Sequence, residues 1–99
     1  MRLVYRPAAR DDLDAIYDFI EPDSPARALS FVQEIRASCR HLLAHPQLGP
    51  ARDDLGTGIR LYPLRGRVVV AYRAFADRIE VVRVFYGGQD YAALMRDDI

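Results

Sequence analysis

The fold is decided by residues 59–86, which read IRLYPLRGRVVVAYRAFADRIEVVRVFY. Apolar β-branched and aromatic side chains recur here with a period of two, which is typical of β-strands. Strands are predicted at residues 59–62, 68–75 and 79–86. Arg65-Gly66-Arg67 and Ala76-Asp77 supply the turns between them. Because connections this short join antiparallel neighbours, the stretch predicts an antiparallel three-stranded sheet.

Both faces of this sheet are largely apolar. Alternation divides the side chains of the middle strand into two sets, with Val68, Val70 and Tyr72 on one face and Val69, Ala71 and Phe75 on the other. A pair of helices can cover one face of a sheet. The opposite face is therefore predicted either to be shielded by the termini or to bind a partner.

Two helices are predicted ahead of the sheet. After a short strand at residues 2–6, an apolar stripe with helical spacing indicates a first helix at about residues 8–20. Ser24 followed by Pro25 is typical of a helix N-terminus, and the second helix is expected to end near His45, just before a proline. The link between the two helices is so short that they are expected to form an antiparallel hairpin.

The remaining segments complete an α+β fold. Residues 46–57 predict an exposed loop, because they hold several prolines and glycines and show no periodicity. Residues 89–95 predict two helical turns. The predicted domain is an N-terminal strand, an antiparallel helical hairpin packed on a three- to four-stranded antiparallel sheet, and a short C-terminal helix. Residues 1–99 have room for one such domain.

Composition narrows the function classes. All 14 basic residues are arginine, 14 acids balance them, and the net charge is zero. Without lysine, Schiff-base and lysine general-base chemistry are excluded, whereas phosphate or carboxylate binding stays open. No apolar run approaches the roughly 20 residues of a membrane span, so a cytoplasmic protein without membrane contact is predicted. The single cysteine, Cys39, is interpreted as a core residue, and no disulfide, metal or cofactor is expected.

Arginines on the strands are the first candidates for a site. Arg60, Arg73 and Arg83 lie one on each predicted strand, and strict alternation groups Arg83 with Val81. If two or three of them share a face, they form a positive concavity suited to phosphate or to a partner's carboxylates. Alternatively, each arginine is paired with an acid such as Glu80 or extends to the rim of the sheet. The residues leave both interpretations open.

Two other groups favour structural roles. His41 and His45 have a spacing that can hold a metal ion, but no third ligand is apparent, so a solvated helix end is the favoured interpretation. The aspartates of the first helix are interpreted as its solvated face, and they are Asp11, Asp12, Asp14 and Asp18.

Several short motifs occur in an order that is similar to a known family. They are HPQLG at residues 45–49, Gly-Ile-Arg at 58–60, Tyr72-Arg73, and RVFYG at residues 83–87. Together with the preceding strand and helices, they make nearly the whole chain resemble the ParE toxins of the RelE/ParE superfamily. Two positions depart from the ParE pattern: Arg6 stands where a capping serine is common, and Tyr86 stands where histidine is frequent.

The resemblance implies the toxin of a bacterial type II toxin–antitoxin system. It implies a cognate antitoxin, expected to be ParD-like with a ribbon-helix-helix DNA-binding domain, which forms a hetero-oligomer with the toxin and alone contacts operator DNA. It further implies inhibition of DNA gyrase by binding, without catalysis. The RelE branch implies an alternative, a ribosome-dependent mRNA endoribonuclease using Arg60, Arg73, Arg83 and Tyr86. A second alternative is a degenerate toxin that retains antitoxin binding alone.

Charge favours the ParE interpretation over the nuclease. A protein of zero net charge without lysine fits ribosomal RNA poorly, because RNA binding is dominated by phosphate neutralisation. The residues predicted to contact the antitoxin or the target are Arg60, Tyr62, Arg73, Phe75, Arg83, Phe85, Tyr86 and Tyr91.

Overall fold

The computed structural model describes residues 1–88 and 91–96 and has the α+β architecture that the sequence predicts. Its elements are β1 Arg2–Tyr5, α1 Pro7–Ile20, α2 Pro25–His41, a 3₁₀ turn Asp53–Leu55, β2 Arg60–Leu64, β3 Val68–Ala74, β4 Arg78–Tyr86 and α3 Tyr91–Arg96. The first two residues of the predicted C-terminal helical segment, at positions 89 and 90, lie outside the described residues. No helix in the described part of the chain is long and apolar enough to cross a membrane.

The four strands form one mixed sheet in the order β1-β4-β3-β2. β2, β3 and β4 are antiparallel neighbours, as predicted, but β1 runs parallel to β4, with Leu3 opposite Ile79 and Tyr5 opposite Val81. The sheet is thus not entirely antiparallel. No hairpin joins β1 to β4, so the turn lengths that determine the directions of the other strands carry no information about this pair.

α2 ends at His41, earlier than the predicted end near His45. Residues 42–45 continue as tight turns in which each N–H donates to the carbonyl oxygen three residues earlier, for example from His45 N to Leu42 O at 3.2 Å. The tighter winding follows from Pro46, because a proline disfavours the α-helical conformation of the residue before it.

The main core lies between the helical hairpin and one sheet face, which we call the helix face. Leu13 and Ile16 of α1 and Ile35 of α2 pack there against Val70 and Val81 of the sheet, and all five side chains are buried. The apolar stripe predicted for the first helix is therefore the face that α1 buries.

A second, smaller cluster covers part of the opposite face, which we call the outer face. Its buried members are Leu55, Ile59, Leu61, Ala71, Val82, Phe85 and Met95. The prediction of an exposed loop at residues 46–57 is wrong for Leu55, which the 3₁₀ turn places in this cluster. Because α3 supplies Met95, the C-terminal part of the chain shields this region of the sheet, one of the two alternatives that the sequence left open.

A β-bulge in β4 changes which side chains share a face. Tyr72 stands opposite Val81 while Ala71 stands opposite Arg83, so Val82 is an inserted residue. Val81 packs in the main core, whereas Arg83 stands opposite an outer-face residue. The predicted grouping of Arg83 with Val81 is wrong, because strict alternation assumes a strand without insertions.

Cys39 is expected to be unreactive in the folded protein. Its side chain is fully buried in the main core, and this burial raises the pKa of the thiol to about 11. At pH 8 the thiol is therefore protonated and should not react with Ellman's reagent until urea unfolds the chain. Since folding raises this pKa from about 9, the associated stability is present below pH 9 and is lost as the pH rises towards 11. Equal labelling rates for folded and unfolded protein would contradict this prediction.

Candidate functional site

The side chain of Arg60 contacts the loop that follows α2. It lies at the start of β2, opposite Tyr72, and its Nη1 donates to the carbonyl oxygens of Gly49 at 2.7 Å and Gln47 at 3.4 Å. Tyr62, two residues further along β2, packs against the main core. Both side chains are therefore on the helix face, and the guanidinium of Arg60 is used to fasten the backbone of residues 47–49.

Tyr72 holds the same loop from β3. Its ring is fully buried, its hydroxyl donates to the carbonyl oxygen of Pro46 at 2.8 Å, and the hydroxyl accepts a hydrogen bond from the N–H of Gly49 at 2.9 Å. Burial raises the pKa of Tyr72, so the phenol stays protonated and can donate. The HPQLG motif, Arg60 and Tyr72 thus form one hydrogen-bonded unit that positions the loop.

Tyr72→Phe is expected to lower the free energy of unfolding by about 1–3 kcal/mol, because it leaves the Gly49 N–H and the Pro46 carbonyl without their partner inside the protein. Urea unfolding followed by circular dichroism measures the loss. Tyr62→Phe is the matched control, and its effect should be smaller because the Tyr62 ring is partly exposed. Equal effects of the two substitutions would contradict the role given to the Tyr72 hydroxyl.

Arg73 lies on the outer face, away from Arg60. Its Nε donates to the carbonyl oxygen of Thr57 at 2.9 Å, near the surface. Glu80 stands directly opposite it on β4. The terminal nitrogens of Arg73 have no hydrogen-bond partner among residues 1–88 and 91–96.

Arg83 forms a bidentate ion pair with Asp12 of α1. Its Nε and Nη2 lie 2.8 and 2.9 Å from the two carboxylate oxygens, and both side chains are only 15% exposed. The same carboxylate accepts the N–H of Val84 at 2.8 Å, and Arg83 Nη1 donates to the Leu94 carbonyl oxygen at 3.3 Å. The prediction that Asp12 belongs to a solvated face is wrong: this side chain joins α1 to β4 through an arginine that also contacts α3.

The aromatic candidates are distributed over both faces. Tyr86 packs edge-on against Phe19 and Phe31 at the helix face, with ring centroids 5.9 and 5.7 Å apart. Phe85 is buried on the outer face beneath Tyr91 of α3, at 5.0 Å between centroids. These contacts place Tyr86 and Phe85 on opposite sides of the sheet.

Phe75 follows β3 and is 37% exposed, with the guanidinium carbon of Arg78 4.1 Å above its ring. Arg78 is not among the site residues predicted from the sequence, although its position directly after the turn that contains Asp77 brings it to Phe75. His41 and His45 lie with their rings 4.7 Å apart. Among the described residues no group of three or more metal-ligating side chains occurs.

The four residues of the nuclease alternative do not meet at one place. Arg60 and Tyr86 belong to the helix face, near opposite ends of the sheet, whereas Arg73 lies on the outer face and Arg83 is paired with Asp12. The residues of the motifs make structural contacts instead. Arg60 and Tyr72 join the loop after α2 to β2 and β3, and Arg83 joins β4 to α1. Asp12 and Gly49 are central to these units and are not among the site residues predicted from the sequence.

Comparisons with known proteins identify the family of this chain. A family model described as "ParE toxin of type II toxin-antitoxin system, parDE" matches residues 3–91, so the chain is a toxin of a type II toxin–antitoxin system, and a cognate antitoxin is its implied partner. It belongs to the ParE toxin family.

A solved structure shows the same similarity. It is described as "Chromosomal ParDE TA system from P. aeruginosa", and it matches with 30% identity and a TM-score of 0.74, covering 87% of this chain and 95% of that chain. No curated protein matches this chain.

Proposed function

We propose that this ParE toxin inhibits DNA gyrase in the cytoplasm by binding to it, without catalysis, and that a ParD-like antitoxin neutralises it. The observation that carries the proposal is the engagement of Arg60 and Arg83 in internal contacts. Arg60 fastens the backbone of the loop after α2, and Arg83 is held by the largely buried carboxylate of Asp12. Both arginines therefore contact the protein itself, which supports binding rather than catalysis as the proposed activity.

A ribonuclease would need a different arrangement. Stabilising charge at a scissile phosphate requires cationic groups that converge on one point at hydrogen-bonding distance. Here the arginines point to two faces, and Asp12 neutralises one of them. The zero net charge adds to this argument, because phosphate contacts supply most of the affinity for nucleic acids.

The antitoxin is proposed to dock in a groove between α2 and β2. This antitoxin groove has a volume of about 550 Å³, and its lining includes Phe31, Ile35, Tyr62, Leu64 and Arg65. β2 is an edge strand, but residues 50–52 pair with its start, where the N–H of Leu61 donates to the Pro50 carbonyl oxygen at 3.1 Å, and Pro63 has no N–H. The contacts proposed for the antitoxin are therefore those with the side chains that line the groove. A hetero-oligomer formed in this way would contact operator DNA through the antitoxin's own domain.

The test is a supercoiling assay with purified toxin, gyrase and relaxed plasmid. Toxin at micromolar excess should inhibit supercoiling, and pre-mixing with its antitoxin should restore it. Unimpaired supercoiling at that excess would overturn the proposal. Cleavage of ribosome-bound mRNA that is lost in Arg73→Ala/Tyr86→Phe would instead assign the nuclease function. Normal growth on induction of the toxin would identify a degenerate toxin.

A further inference from the structure

The outer face of the sheet is covered only in part. α3 and the 3₁₀ turn pack over the region around Ala71 and Phe85. Towards the β3–β4 turn the face stays open, as the exposure of Phe75 and the position of the Arg73 side chain near solvent show. The open region spans three strands, because β1 and β3 both flank β4 there.

This open region concentrates positive charge. Arg2 of β1 stands beside Arg78 of β4, and Arg73 of β3 stands opposite Glu80 of β4. Arg6 follows β1 and reaches the same glutamate, with Nη1 3.4 Å from Oε1. We call the region formed by Arg2, Arg6, Arg73, Phe75, Arg78 and Glu80 the arginine patch.

The patch is incompletely neutralised from within. Glu80 is shared between Arg6 at 3.4 Å and Arg78 at 3.7 Å, and Asp77 is shared between Arg78 at 3.0 Å and Arg2 at 3.7 Å. Four arginines against these two carboxylates leave two excess positive charges. Several of the contacts are long, so the guanidinium groups keep donors for further carboxylates.

Hydrogen-bond donors without an internal partner also indicate that the patch can bind further carboxylates. The terminal nitrogens of Arg73, near the surface, have no hydrogen-bond partner among the described residues. Arg2 is 69% exposed and is held by one long contact with Asp77. An incoming carboxylate could therefore bind at the patch without first displacing a strong internal partner.

The composition of the patch favours a protein over a nucleic acid. An arginine stacked on an exposed aromatic ring, as Arg78 is on Phe75, is typical of the residues that dominate protein–protein binding energy. Two excess charges on a protein of zero net charge are few for binding a polyphosphate backbone. Bidentate contacts to the carboxylates of an acidic segment match what the guanidinium groups offer.

We propose that the arginine patch is the surface through which the toxin binds its target, and that the occupant is an acidic segment of gyrase. This inference rests on the proposed function and separates two surfaces. The antitoxin groove lies between α2 and edge strand β2, whereas the patch lies on the outer face, across β1, β4 and β3. Substitutions in the patch therefore impair inhibition of gyrase and leave the antitoxin bound.

The experiment compares the full-length toxin with Arg2→Glu/Arg73→Glu in the supercoiling assay, using assembled gyrase. The inhibitory concentration should rise at least ~10-fold, because charge reversal places like charges against the acidic segment. Phe75→Ala, a second variant without a charge change, should raise it by ~3-fold or more, since an aromatic anchor is lost. Affinity for the antitoxin should change less than twofold in both variants.

Arg27→Glu/Arg40→Glu is the matched control, with the same charge change at two exposed positions of α2. It should inhibit gyrase like the original protein, and thermal unfolding should show that all variants are folded. Unchanged inhibition by folded Arg2→Glu/Arg73→Glu would overturn the inference and leave the proposed function intact. The inference would also be overturned if these substitutions abolished antitoxin binding alone, or if the patch bound plasmid DNA in a salt-sensitive way without gyrase. An original toxin that never inhibits gyrase would overturn both proposals.

Discussion

Asp12→Ala is expected to lower the free energy of unfolding by about 3–5 kcal/mol, because it removes the carboxylate that accepts two hydrogen bonds from the largely buried Arg83 guanidinium. The substitution also removes the acceptor of the Val84 N–H, which lies on the edge of β4 beyond the end of β1. Leu94 still accepts one hydrogen bond from Arg83, which limits the loss. Urea unfolding followed by circular dichroism measures the change.

Asp14→Ala is the matched control for this prediction. Asp14 lies on the same helix but is exposed, so its removal should change stability by no more than about 0.5 kcal/mol. Removing both charges in Asp12→Ala/Arg83→Met should recover part of the loss, since the largely buried guanidinium is removed together with its carboxylate. Similar losses for Asp12→Ala and Asp14→Ala would show that the Asp12–Arg83 pair contributes no more than a surface charge.

The outcome also decides how Arg83 is interpreted. A guanidinium held by two oxygens of one carboxylate is neutralised where it lies, so it has little charge left for a phosphate. If the variant is less stable but, when folded, behaves like the original protein in the supercoiling assay, Arg83 serves the fold. For Arg83, that result would support the alternative in which a strand arginine is paired with an acid. The acid is Asp12, whereas the sequence suggested one such as Glu80.

Most of the secondary structure could be predicted from periodicity, and the reason is visible in the core. Leu13, Ile16 and Val70 repeat with the spacing of their elements because each buries one face, and burial imposes that spacing. The direction of β1 could not be predicted, because it pairs with a strand more than seventy residues away in the chain. Pairings of that kind depend on the whole core and not on a local pattern.

The candidate site was harder to predict for a related reason. The face of Arg83 depended on an inserted residue, Val82, and a bulge leaves no clear signal in a run of apolar residues. Asp12 looked like any helix-surface aspartate, since its partner lies on a distant strand. Gly49 did carry a signal, because it lies in the HPQLG motif that contributes to the family resemblance, but the residues alone gave it no role.

Gly49→Ala is expected to destabilise the protein by about 3 kcal/mol or more, at the upper end of what overpacking costs. A Cβ atom at this position would lie 2.6 Å from the Leu61 carbonyl oxygen and 2.9 Å from Cε1 of Tyr72. Neither neighbour can move easily, because one is strand backbone and the other is a fully buried ring. The glycine is therefore required by close approach of the backbone rather than by an unusual backbone angle.

The substitution should also loosen the loop, since Gly49 gives its N–H to Tyr72 and its carbonyl oxygen to Arg60. Hydrogen exchange is expected to be faster at the amides of residues 47–49 than in the original protein, and the urea midpoint should fall. Gly88→Ala is the control: the nearest atom to its added Cβ is the end of the Arg67 side chain at 3.8 Å, so its stability should stay close to that of the original protein. If both alanine variants were equally stable, the loop could move away from β2 at little cost, and the HPQLG motif would need an explanation other than packing.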